Sequence, residues 1–240
     1  MAYTDVGASP KRYARISGWL YLSVVVVGII SISLSSHLIV AGDAAATARQ
    51  IAGSQAPWRW SIVTWFMGGV IEVPLTVMLY VLLRPVNRTL SLAAALLNLI
   101  GVGVSSVDAV LSAVPLVLGS PDAYLNVFQT PQLQALSFLA LRLDGYATAL
   151  SYVFFGSYWL IFGPLVYSSG FLPKFIGVLL TITGVTYEIY GFGRFVAPSM
   201  ISALPFSLIS VGGISEIVLC LWLIAVGVRE GTWREMASRT

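Results

Sequence analysis

Six long runs of predominantly apolar residues dominate this chain and leave it few folds to choose from. A helix needs about twenty such residues, at 1.5 Å each, to cross hydrocarbon about 30 Å thick. Helical spans are predicted at about residues 16–38, 58–83, 90–118, 131–167, 174–192 and 205–228. Their ends are marked chemically. Span two stops at Arg84-Pro85, and span three at Gly119-Ser120-Pro121. Span four opens on Thr130-Pro131, a cap followed by proline in the first turn. Spans five and six follow Pro173 and Pro205. A soluble fold fails on composition: 58% of residues are hydrophobic and only 10% charged, where a soluble domain carries about 25%. The expected fold is an all-α polytopic membrane bundle of six transmembrane helices. Residues 1–240 are read as one domain, because no loop is long enough to hold another.

The basic residues orient the bundle. Lys11, Arg12, Arg15, Arg84, Arg88, Lys174, Arg229, Arg234 and Arg239 fall on one side. Arg49, Arg59 and Arg194 fall on the other. Both termini are therefore expected in the cytoplasm, with Asp43–Pro57 and Gly119–Gln129 as outer loops. The first apolar run is longer than a signal-peptide core and is read as a span. Cys220, the one cysteine, lies in the last run and reads as a small buried hydrophobe. A net charge of +3 gives no reason to expect nucleic acid. The expected partner is the lipid bilayer; a homo-oligomer or a larger membrane complex stays open.

Ionisable side chains inside apolar spans are costly and call for an explanation. Here they are Glu72, Asp108, Asp144, Glu188 and Glu216, with Arg142 and His37 close by. Helical rise places Glu72 and Glu216 near the midplane, Glu188 further out, and the rest toward the outer surface. The candidate ion or proton site is accordingly Glu72, Glu188 and Glu216, with His37, Asp108, Arg142 and Asp144 at the entrance of an outward-facing acidic cavity. Most of the acids lie on stripes of small residues spaced three and four apart. Glu188 shares a face with Gly177, Thr181, Gly184 and Gly191; Asp108 shares one with Gly101, Ser105, Ser112 and Pro115. Small residues let helices approach closely in lipid, so these stripes should face neighbouring helices. Helix packing with hydrogen-bonded carboxyls accounts for the same pattern without any site. Spans two and six also share an echo, Gly68-Gly69-Val70-Ile71-Glu72 and Gly212-Gly213-Ile214-Ser215-Glu216. Span four, at roughly 55 Å, is longer than the bilayer core, so its first turns should project outward.

Enzyme signals are sparse. One histidine excludes a multi-histidine zinc or haem site within the chain. A carboxylate-rich site could still hold a hard cation. No nucleophile elbow, phosphate loop or dinucleotide fingerprint stands in a suitable context. Trp58, Trp60, Trp65 and Trp233 read as interfacial anchors.

Several segments carry a resemblance to a known family. They include Arg12-Tyr13-Ala14-Arg15-Ile16-Ser17-Gly18, Ala41-Gly42-Asp43-Ala44-Ala45-Ala46-Thr47-Ala48, Leu82-Leu83-Arg84-Pro85-Val86-Asn87-Arg88 and Ser169-Gly170-Phe171-Leu172-Pro173-Lys174. With these the chain resembles an uncharacterised bacterial membrane-protein family, domain of unknown function 4386. The likeness implies acids at Glu72 and Glu216, and histidines where this chain has Asp144 and Tyr158. It carries no assigned activity, leaves cofactors and metals open, and implies a bacterial plasma (inner) membrane, crossed many times, as the location. Three functions stay open on the sequence: a small cation- or proton-coupled transporter or channel-like protein, a non-catalytic subunit of a membrane complex, and an intramembrane metal-dependent enzyme.

Overall fold

The computed structural model describes residues 9–203 and 208–239. The described residues form helices joined by short connections, with no strands. In chain order the helices are α1 (Pro10–Ser35), α2 (Ala44–Gly53), α3 (Gln55–Leu83), α4 (Arg88–Leu118), α5 (Thr130–Ser168), α6 (Lys174–Val196), α7 (Pro198–Ser202), α8 (Leu208–Ala225) and α9 (Glu230–Ala237). Five of them, α1 and α3 to α6, are long and apolar enough to cross a membrane. The C-terminal part of α8, with α9 bent from it by 97°, makes a sixth candidate. The expected start of the last span at Pro205 lies outside the described residues.

The largest buried cluster is where these long helices meet. Leu75 and Leu82 of α3, Phe162 of α5, Leu180 of α6 and Leu219 and Leu223 of α8 all lie in it. The tightest seam is α5 against α6. A Cβ on Gly177 would stand 2.6 Å from the Tyr167 nitrogen and 2.7 Å from the Gly163 carbonyl. On Gly191 it would stand 2.9 Å from the Ala149 carbonyl. Only glycine lets the two backbones come this close, as the stripe of small residues implies.

At 39 residues α5 is the longest helix, roughly 58 Å at 1.5 Å per residue. Its first turns project beyond the main core, and α2 covers them. Leu38, Ile51, Trp58 and Leu141 form a small second core there. The outer loop expected at Asp43–Pro57 is therefore largely helical. Asp43 caps α2, its carboxylate accepting from the Ala46 N–H at 2.8 Å.

The opposite end is a set of tight corners. Between α3 and α4 the chain turns through Arg84-Pro85-Val86-Asn87, and the Asn87 side chain caps α4 by accepting from the Leu90 N–H at 3.0 Å. Helix α8 stops at Ala225, short of the expected Val228, because Gly227 turns into the left-handed region at φ 75°. Helix α9 then folds back under the bundle. Its Trp233 is buried and donates its indole N–H to the Leu82 carbonyl at 2.9 Å. Trp58 is buried too, donating to the Ser112 carbonyl at 2.8 Å. Both correct the expectation of interfacial anchors: the indole N–H of each serves a backbone carbonyl of another helix. Trp60 stays exposed. Lys11, Lys174 and Arg229 line a common cavity at this end, and the Arg15 guanidinium reaches the Ala225 carbonyl.

Candidate functional site

Two half-open chambers between the described helices hold acidic side chains. The deeper, of about 200 Å³, is walled by α1, α3, α4, α5, α6 and α8. Glu72 of α3 and Glu216 of α8 both line it, with Asn98 of α4 and six aromatic side chains. The shallower, of about 150 Å³, is walled by α1, α3, α4 and α5, with Ile39 at its rim. Asp108 of α4 and Asp144 of α5 both line it, with a group of serines and Thr148. Trp65 borders both chambers. Among the described residues no Lys, Arg or His lines either of them.

Each acid owes its place to local sequence. Glu72 follows Gly68 and Gly69 by about one turn, and both glycines line the deep chamber. Buried Asn98 donates its amide to Glu72 Oε1 at 3.0 Å and to the Thr76 hydroxyl at 2.6 Å. Thr76 in turn donates to the Glu72 backbone carbonyl at 2.8 Å. On α8 the arrangement is similar. Gly212, one turn before Glu216, lies directly under the Tyr187 ring, and a Cβ there would stand 2.2 Å from the Tyr187 hydroxyl. This clearance lets Tyr187 donate to Glu216 Oε1 at 2.9 Å. The echoed segments differ in this respect: a Cβ on Gly69 would make only ordinary contact with Val102 at 3.6 Å, whereas one on Gly212 would collide with the ring that serves Glu216.

In the shallower chamber the acids are less well satisfied. Asp108 accepts from the Thr148 hydroxyl at 3.1 Å. The Oδ1 atoms of Asp108 and Asp144 are buried without a hydrogen-bond partner among the described residues. Arg194 lies over the Tyr146 ring at 5.6 Å, and its Nε is also buried without one.

The remaining candidates fall elsewhere. Glu188, expected beside Glu72 and Glu216, lies instead in the α5–α6 seam and does not line the deep chamber. Its side chain stands against Gly156 and accepts from the Ser157 hydroxyl at 2.7 Å. A stripe of small residues shows that the position faces a helix, but the same pattern serves a dry seam and a wet cavity. Arg142 is exposed and lines neither chamber. His37 is exposed in a short 3-10 turn, although Ser35 and Ile39 on either side line the shallower chamber. Asn98 and Tyr187 escaped the sequence reading. An amide in the middle of an apolar run is the signal that could have found the first. No group of three or more His, Cys, Asp or Glu side chains suited to a metal ion occurs among the described residues.

Residues 16–227 match the family described as Domain of unknown function (DUF4386). The chain belongs to that family. An uncharacterized protein of Archaeoglobus fulgidus is 28% identical over 173 residues, an alignment covering 71% of this chain and 86% of that protein. No solved structure matches the chain. Two of the family-like segments now have structural roles. Asp43 is the cap of α2, and Asn87 is the cap of α4 at the α3–α4 corner.

Proposed function

We propose that this DUF4386 protein is a small cation- or proton-coupled transporter or channel-like protein whose binding site is the deep chamber. The observation that supports this is the meeting of Glu72 and Glu216, from separate helices, in one cavity that no basic side chain among the described residues lines. Carboxyls placed within hydrocarbon are costly and usually face a partner or a path. Transporters place such sites near the midplane, where two structural units meet. In this reading Asp108 and Asp144 border the approach. Both termini lie in the cytoplasm of a plasma membrane, with the chambers opening outward, which accords with the gathering of basic residues at the other end. Glu188 serves the α5–α6 seam, outside the transport route.

Proteoliposomes holding the purified protein test this directly. Cation or proton flux should fall about tenfold or more in Glu72→Gln and in Glu216→Gln, a loss of at least ~1.4 kcal/mol in barrier terms. Asp122→Asn, on an exposed connection, should leave flux unchanged. Equal flux in wild type and both glutamine variants would sink the reading.

A further inference from the structure

The deep chamber has walls that a bare ion would not need. Six of its sixteen lining residues are aromatic, whereas aromatics make up 12% of the chain. They are Tyr21, Trp65, Tyr152, Phe155, Trp159 and Tyr187. Several of the rings are held in place. The Trp65 indole N–H donates to the Ser105 carbonyl at 3.3 Å, and Tyr187 is tied to Glu216. Tyr152 meets Tyr187 edge-on with centroids 4.6 Å apart, and Phe155 edge-on at 6.2 Å.

Each candidate ligand uses these walls differently. A hard metal ion takes about six oxygen ligands; the carboxyls, Asn98, Thr64 and Ser105 supply several, but such an ion leaves the Trp65, Phe155 and Trp159 rings without a role. A proton would use the carboxyls and leave the rings without a role. An organic ammonium uses both. Its charge is met by Glu72 and Glu216, and its alkyl groups lie against aromatic rings, the environment that recognises substituted ammonium ions. Size agrees. A cavity of ~150 Å³ holds benzene, so about 200 Å³ admits on the order of ten non-hydrogen atoms. We infer that the deep chamber binds a small organic cation, a substituted or quaternary ammonium of about that size, drawn in by its two carboxyls and held against its aromatic walls. Calling this cation the cargo rests on the transporter reading above; binding can be measured without it.

Tetraethylammonium titrated into the purified full chain, followed by calorimetry and by tryptophan fluorescence, tests the inference. Saturable binding is expected, with a fluorescence change from the chamber's two indoles. Choline should bind about tenfold or more tightly than 3,3-dimethylbutan-1-ol, its neutral carbon isostere. Glu216→Gln should weaken binding about tenfold, and Trp65→Leu or Tyr152→Leu about fivefold, since loss of a ring removes cation–π attraction while keeping both charges. Asp122→Asn should bind as wild type does. No saturable binding of tetraethylammonium to wild type, or equal affinity for choline and its isostere, overturns the inference. Those wild-type measurements decide the matter even if a variant fails to fold. Sodium or proton flux without ammonium binding would overturn this inference and leave the transporter reading standing. Ammonium binding without any flux would do the reverse.

Discussion

At the scale of single residues, the deep chamber depends on side chains that hold its two carboxyls. Asn98 bridges α4 to Glu72 and Thr76 on α3. Hydrogen bonds of this kind between membrane helices are worth about 0.6 kcal/mol on average and at most about 1.7. Asn98→Leu should therefore destabilise the protein by about 0.6–1.7 kcal/mol, read from reversible unfolding in detergent. No loss would mean that the amide is not committed to Glu72. Gly212 makes a sharper case. A Cβ there collides with the Tyr187 hydroxyl, so Gly212→Ala must displace the ring that donates to Glu216. Overpacking of this sort costs about 1–3 kcal/mol; thermal unfolding beside wild type reads it. The acids themselves were legible, because a charge in an apolar run needs no alignment to be noticed. Their partners were not. Helical spacing tells which face a residue occupies, but not whether that face meets a cavity, as Glu72 does, or a glycine seam, as Glu188 does.

At the scale of helices, closeness of approach separates one glycine from another. Gly177 sits where the α5 and α6 backbones touch, while a Cβ on Gly213 would meet nothing within 4 Å. Gly177→Ala should push the helices apart and cost about 1–3 kcal/mol or more. Gly213→Ala should cost nothing and could raise stability by up to about 1 kcal/mol, by removing glycine's entropy from a helix interior. Thermal unfolding of both variants side by side checks the contrast, and equal losses would contradict it. The long helices were readable from their apolar runs, with ends displaced by a few residues. The short ones were not. Helices α2 and α9 are brief, their polar residues resemble loop composition, and what holds them is tertiary contact: α2 lies mainly on α5, and α9 on α1 and the end of α3.

At the scale of the whole molecule, the basic residues collect at one end and the shallower chamber sits toward the other. If the termini are cytoplasmic, Gln50→Cys on α2 will react with a membrane-impermeant maleimide in intact cells. Gly231→Cys on α9 will react only after permeabilisation. Cys220, being buried, gives little background. The reverse pattern would invert the proposed topology. The pattern of lysines and arginines is what proposes this orientation, and it needs no coordinates. The nesting of two chambers was not readable, since it depends on how six helices are rotated about their own axes. That nesting carries one last consequence through Trp65, the ring both chambers share. A party wall transmits as well as divides. Any occupant of one room that shifts this indole changes the shape of the other, and thermodynamic linkage makes that influence mutual and equal in free energy.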